Sequence, residues 1–259
     1  MKKLTTLIFA LLLVHSVPVW AEAEVFQDEP ENSRLSLGAA LVVTPEFEGA
    51  KKYQLLALPV IEYERGSFFL SAFRGAGFKV INDRSIQMGP VVSYRFGRDQ
   101  DDSDDLKGLG DVRGGFETGV FAHWRISDPV ALKLEFKHGL GTAKGYTVDL
   151  GLDYTAELTE SLTLILGAET RFADRKYNEE YFGVTRQQSL QSGYRQYSPD
   201  SGLKHAAAKA SFNYALTDTL NLGVFGEYKR LTGPAADSPL VKKGSANQAT
   251  SGLALTWNY

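Results

Sequence analysis

The chain has 259 residues, a formal net charge of −3, no cysteine, 25 glycines and 12% aromatic residues. The lack of cysteine excludes a disulfide framework, and the mild acidity argues against nucleic acid as a partner. No later segment offers about 18 consecutive uncharged apolar residues, so no transmembrane helix is predicted.

The N-terminus predicts a secretory signal peptide. Lys2 and Lys3 precede a short apolar run over residues 4–14, and small residues follow near a plausible cleavage point. We place the cleavage after Ala21, with Ala23 as the alternative. The apolar run is too short for a helix that spans a membrane.

Three regions are therefore expected along the chain. Residues 1–21 form the signal peptide, residues 22–33 form an acidic periplasmic N-terminal segment, and residues 34–259 form one large β-domain. Removal of the signal peptide takes away two lysines and no acid, so the net charge changes from −3 to −5.

The rest of the chain alternates between apolar and polar residues with the period of two that β-strands show. Many runs are about ten residues long, which is what a tilted strand needs to cross a bilayer. Strands of a soluble secreted sandwich, the alternative, are usually only about 5–6 residues long. The predicted strands cover residues 34–43, 54–64, 67–73, 75–81, 85–97, 114–126, 130–139, 145–156, 162–172, 204–215, 220–230 and 248–259.

The last strand carries the clearest membrane signal. Leu253, Leu255, Trp257 and the terminal Tyr259 fall on one face, and small or polar residues fall on the other. A final strand that is apolar on one face and ends in an aromatic residue is typical of outer-membrane β-barrels.

Short and long connections alternate along the chain, as they do in bacterial outer-membrane barrels, where the short turns are periplasmic. Both termini must then be periplasmic, so the number of strands must be even. Read as one strand, residues 67–81 would give eleven strands, whereas a break at Arg74-Gly75 gives twelve. We therefore predict an all-β, twelve-stranded antiparallel transmembrane barrel. The short turns are residues 127–129, 159–161 and 217–219, and the long links are residues 98–113, 139–145, 173–203 and 231–247.

The link at residues 173–203 is unusually long and aromatic, so it is expected to have structure of its own. It has two interpretations: an adhesive or partner-binding surface, or a lid folded over the barrel mouth. We favour the lid. Its aromatic residues are Tyr177, Tyr181, Phe182, Tyr194 and Tyr197.

Several segments carry a family resemblance, namely residues 45–49, 58–60, 90–98, 106–112, 181–185, 192–197, 228–231 and 237–241. These segments resemble the MipA/OmpV family of outer-membrane proteins. The resemblance covers essentially the whole mature chain. It implies an outer-membrane barrel, and for the best-known member a scaffold that links a membrane-bound lytic transglycosylase to a bifunctional penicillin-binding protein. Other members are described as porin-like or adhesive.

Candidate catalytic chemistry is weak throughout the chain. His123, His138 and His205 fall in separate strands without metal-ligand spacing, and no Gly-x-Ser-x-Gly motif occurs. We predict no catalytic residue, no cofactor-binding residue, no metal ligand and no cofactor, and hence no enzyme.

An acidic run at Asp99–Asp105 superficially resembles a calcium loop. Asp104 stands where an EF-hand needs glycine, and Gly110 stands where it needs glutamate, so the EF-hand interpretation fails. A solvated acidic loop is expected, with loose divalent-cation binding at the lipopolysaccharide surface as the alternative.

The predicted lumen is balanced in charge, with six acids and six bases on the inward faces of the strands from residue 114 onward. Charges in a narrow barrel are tolerated only when paired or hydrated, so a narrow or plugged lumen is favoured over an ion-selective channel. A small pore for neutral solutes remains the alternative. The acids are Glu117, Glu135, Asp149, Asp153, Glu169 and Glu227, and the bases are Arg125, Lys133, Lys137, Arg171, Lys209 and Lys229.

These observations predict a non-catalytic protein of the bacterial outer membrane, in contact with its lipid and lipopolysaccharide. The resemblance implies a scaffold for peptidoglycan enzymes, with the lytic transglycosylase and the penicillin-binding protein as partners. A small porin and a surface adhesin are the alternatives.

Overall fold

The computed structural model describes residues 33–259. The predicted signal peptide at residues 1–21 lies outside the described residues, and so does the predicted N-terminal segment apart from Ser33.

The described residues form one antiparallel sheet that closes into a barrel. Chain neighbours pair with one another except for β4 and β5, the first strand pairs with the last, and β4 pairs with β6. Because β4 and β5 both pair with β6, they share one position in the wall, which has the twelve positions predicted. The strands are β1 (Arg34–Pro45), β2 (Tyr53–Arg65), β3 (Phe68–Ser71), β4 (Gly75–Phe78), β5 (Ile81–Asn82), β6 (Ile86–Arg95), β7 (Gly115–Ser127), β8 (Val130–Gly139), β9 (Tyr146–Thr159), β10 (Leu162–Ala173), β11 (Gly202–Ala215), β12 (Leu220–Leu231) and β13 (Asn247–Asn258).

Helices occur in the long links at one end of this barrel. The helices are α1 (Arg175–Phe182), α2 (Arg186–Ser192), α3 (Gly233–Ala236) and α4 (Pro239–Lys243), and two short 3-10 turns cover Gln100–Asp102 and Asp104–Leu106. No helix between residues 33 and 259 is long and apolar enough to cross a membrane.

The strand faces divide as the alternation predicts. Leu253, Leu255 and Trp257 of β13 are exposed on the outer face, whereas Ala254 between them is buried inside. Residue Ala40 of β1 lies opposite Ala254 at the closing seam. The exposed apolar band is the surface that an outer-membrane barrel presents to lipid.

The connections at the two ends differ in length, as predicted. One end has only short turns, and the other carries links of up to 28 residues that hold the four helices found within residues 33–259. The short turns are residues 66–67, 83–85, 128–129, 160–161 and 216–219, and the end that they form is periplasmic in an outer-membrane barrel.

The predicted break at Arg74-Gly75 is confirmed, but the hairpin that it creates is shorter than predicted. β3 and β4 have only four residues each, and β5 supplies the rest of the second strand position. Gly75 has φ 92°, and a Cβ at this position would lie 2.2 Å from the carbonyl oxygen of Val92. Only glycine fits both constraints.

The short hairpin leaves a notch in the outer half of the wall. The pairing of β2 with β3 begins at Glu62, so residues 53–61 have β1 as their only strand partner among the described residues. Pro59 lies on this unpaired edge, where its missing N–H costs no ladder hydrogen bond. Behind the notch, Phe73 of the hairpin tip packs on an apolar cluster inside the barrel. The cluster consists of Ala40, Val42, Leu56, Leu58, Val60, Phe225 and Ala254.

Candidate functional site

The lumen carries ion pairs between neighbouring strands, as the balanced charges predict. Arg171 of β10 lies opposite Asp149 of β9 in register and donates to both of its carboxylate oxygens, with Nη2 3.0 Å from Oδ2. Lys133 Nζ lies 2.5 Å from Asp153 Oδ2. The alternation of each strand and the register between strands together place opposite charges side by side.

A second group of charges joins β10, β11 and β12. Lys209 Nζ lies 2.6 Å from Glu169 and 4.0 Å from Glu227, and Lys229 Nζ lies 3.4 Å from Glu227. His205 Nε2 lies 3.3 Å from Glu169. The lysine and glutamate side chains form one continuous row of alternating charge on the inner wall across these three strands.

The predicted histidines lie apart from one another. His205 belongs to the group just described, and His123 Nε2 lies 3.7 Å from Glu135, which also pairs with Lys137 at 2.6 Å. Within residues 33–259 no three His, Cys, Asp or Glu side chains come close enough to hold a metal ion.

Sequence reasoning missed the charges in the first half of the barrel. Arg95 of β6 pairs with Glu117, and Glu64 of β2 pairs with both Lys79 and Arg34. In these pairs three cations meet two carboxylates, because Glu64 has two basic partners. The same count of inward positions, extended to the strands before residue 114, would have found them.

The link at residues 173–203 folds as a lid, which is the interpretation that the sequence analysis favoured. Asp174 caps α1 by accepting a hydrogen bond from the backbone N–H of Tyr177. Tyr177, Tyr181 and Phe182 of this helix are buried, and the first two rings stack with centroids 4.9 Å apart. The guanidinium of Arg95 lies 4.5 Å from the Tyr177 ring, so the lid is held from below by a lumen cation.

Hydrogen bonds join this lid to the neighbouring links. The hydroxyl of Tyr181 donates to the carbonyl of Phe96 at 2.9 Å, and the hydroxyl of Tyr194 donates to the carbonyl of Asp105 at 3.0 Å. Tyr197 donates to the carbonyl of Pro234 at 2.7 Å. The external links therefore form one packed unit over the mouth.

The acidic run at Asp99–Asp105 is part of this unit. Asp99 and Ser103 cap the two 3-10 turns, and Lys107 Nζ lies 2.5 Å from Asp104 at the surface. Leu106, directly after the run, is fully buried in an apolar cluster that includes Val184 of the lid. The carboxylates thus act as caps and surface ion pairs, as a solvated loop requires.

A small cavity of about 40 Å³ lies at the junction of the lid and the lumen. Glu48, in the first external link, reaches its wall and is held by Lys204 Nζ at 2.9 Å. The sequence analysis assigned no individual role to either residue, although Glu48 lies in the family-like segment at residues 45–49.

Comparisons with known proteins agree with this fold. The family model described as "MltA-interacting protein MipA" matches residues 37–259. The chain is 27% identical over 258 residues to the MltA-interacting proteins of Escherichia coli (strain K12) and Shigella flexneri, with 98% of each protein covered.

Solved structures similar in shape include an outer membrane channel from Pseudomonas putida F1, with a TM-score of 0.47 and 10% identity. That alignment covers 90% of this chain and 98% of the channel. The NanC porin gives a TM-score of 0.43 at 7% identity, over 87% of this chain and 99% of the porin. Because the family model spans nearly every strand of the barrel, the chain belongs to the MltA-interacting protein MipA family.

Proposed function

We propose that this protein is a non-catalytic scaffold in the outer membrane that holds enzymes of peptidoglycan remodelling. The observation that carries the proposal is the filled interior: a packed lid covers the mouth, and ion pairs and an apolar cluster occupy the lumen below it. A barrel built in this way offers its surface to other molecules instead of a path through its centre.

The family supports the choice of partner. The relatives in Escherichia coli and Shigella flexneri carry the name MltA-interacting protein. We propose a lytic transglycosylase of this kind as the partner of the present chain. The bifunctional penicillin-binding protein implied by the sequence resemblance is proposed as the second partner.

The periplasmic end is where these partners would bind, because peptidoglycan lies on that side of the outer membrane. Its short turns expose Asp128, Glu160 and Asp218. Stable interfaces usually bury about 800 Å² on each partner, which is more than such turns supply. We therefore propose that the acidic segment at residues 22–33, of which only Ser33 is among the described residues, contributes to the interface.

Site-specific photocrosslinking tests the scaffold directly. A photoreactive amino acid at Glu160 or Asp218 should capture a peptidoglycan enzyme in intact cells. The matched control carries the same amino acid at Leu190, which is 80% exposed on the lid at the opposite end. Capture of the same enzyme from both ends, or from neither, would contradict the proposal.

A small porin remains the alternative, and a surface adhesin is a further one. Single-channel recording in a planar bilayer separates the porin from the scaffold, because the filled lumen should give no steady conductance. Steady conductance in the absence of any captured enzyme would favour the porin. Attachment of purified barrels to host cells or matrix would favour the adhesin.

A further inference from the structure

The cavity beneath the lid is lined by charged and polar residues that the proposed scaffold function does not require. It lies where the outer ends of β1, β12 and β13 meet the links at residues 46–52 and 96–114. Apolar groups of Phe47 and Phe182 form part of its wall. Its polar lining consists of Thr44, Glu48, Arg98, Lys229, Gln248 and Thr250.

Arg98 is the unusual member of this lining. Its side chain is only 7% exposed, and its Nη1 donates to the carbonyl of Tyr181 at 2.9 Å. Its Nε has no hydrogen-bond partner, and no carboxylate among the described residues forms an ion pair with it. Asp102 acts on it only from a greater distance.

A buried cation without a carboxylate partner is energetically costly. Burial lowers the pKa of Arg98 to about 10, which reflects this cost. The free Nε lies on the edge of the guanidinium that forms paired hydrogen bonds with an oxyanion. The carbonyl of Tyr181 therefore holds the Arg98 side chain in place, and the Nε donor on the anion-binding edge of the guanidinium makes no hydrogen bond.

Lys229 adds a second positive charge to the cavity. Its Nζ lies 3.4 Å from Glu227 and 3.8 Å from Glu48. Glu48 is already held by Lys204 at 2.9 Å. The charged residues that line the cavity are Arg98, Lys229 and Glu48, so the lining has one positive charge in excess.

Neutral groups complete the lining. The hydroxyls of Thr44 and Thr250 lie 3.2 Å apart, and only one of their two protons can be shared between them. The other proton is available to an acceptor in the cavity. Gln248 is fully engaged in the wall, since it accepts from Gly49 N–H and donates to the carbonyl of Ala50.

We propose that this cavity is a binding site for a compact oxyanion, a carboxylate or a phosphate, with Arg98 as its principal ligand and Lys229 as its second cation. A volume of about 40 Å³ holds on the order of three water molecules. The site therefore fits a free small anion or the acidic tip of a larger molecule.

Calorimetric titration of the full-length protein in detergent tests this site. Sodium phosphate and sodium acetate are titrated separately at constant ionic strength, with sodium chloride as the reference salt. We expect saturable binding of at least one of the two oxyanions, and the tighter of them identifies the class of ligand. No saturable binding of either anion would overturn the proposal.

Variants assign the binding to Arg98. Arg98→Gln should weaken it at least tenfold, whereas Arg175→Gln, at an exposed position on the lid, should leave it unchanged. Arg98→Lys keeps the charge but loses the forked donor edge, so it should bind measurably more weakly than the native protein. This second variant keeps the test decisive if Arg98→Gln fails to insert. Binding of unchanged affinity in either Arg98 variant would overturn the assignment.

Discussion

Lys204 Nζ lies 2.9 Å from Glu48 Oε2, and the Lys204 side chain is only 1% exposed. The pair joins the first external link to β11 across 156 positions of the chain. Lys204 also donates to the hydroxyl of Tyr177 at 3.2 Å, so a single ammonium holds the link, the strand and the lid together.

The first prediction concerns this pair. Lys204→Met should lower the free energy of unfolding by about 3–5 kcal/mol, because it leaves Glu48 as a buried charge with one partner fewer. The measurement is urea unfolding of the purified barrel in detergent micelles. The matched control is Arg175→Met, which removes the exposed ion pair with Asp200 and should cost about 0–1 kcal/mol. Equal losses in the two variants would contradict the role of Lys204.

The second prediction tests which face of β13 meets lipid. Leu253→Lys places a charge on the exposed apolar face and should cost about 2–4 kcal/mol of folding free energy in liposomes. Thr256→Lys, on the inward face of the same strand, should cost much less. Deletion of Tyr259 should reduce the yield of inserted, heat-modifiable protein. A larger loss from Thr256→Lys than from Leu253→Lys would show that the faces are reversed.

The third prediction concerns the lid. Phe182 is fully buried, so Phe182→Ala should destabilise the lid by about 3–5 kcal/mol and expose it to trypsin. Native protein on intact cells should resist cleavage at Arg175, Arg186 and Arg195, although these side chains are exposed, because the backbone around them is packed. Leu190→Ala on the lid surface is the control and should remain resistant. Rapid cleavage of the native protein between residues 173 and 203 would contradict the lid.

The fourth prediction concerns the hairpin that completes the wall. Gly75→Ala should strongly reduce barrel assembly, because its backbone has φ 92° and its new Cβ would meet the backbone of β6. Gly226→Ala is the control, since a Cβ at that position meets no atom within 4 Å. Heat-modifiable migration on a gel measures folding of both variants. Normal folding of Gly75→Ala would mean that the hairpin has a different backbone conformation.

The sequence alone determined the architecture, because strand alternation is a local property of the chain. The outward face of β13, the break at Arg74-Gly75 and the twelve positions of the wall all follow from a period of two and from the even count that periplasmic termini require. Charge balance in the lumen followed for the same reason, since inward positions can be counted along each strand without knowledge of its neighbours.

Only the tertiary structure decided which charges meet and that Arg98 is buried without a carboxylate partner. Asp149 and Arg171 pair because of the register between two strands, and Arg98 is buried because links from distant parts of the chain close over it. The short β3–β4 hairpin and the notch beside it depend in turn on how the barrel closes. Register, closure and loop packing are long-range interactions, and local sequence periodicity contains no information about them.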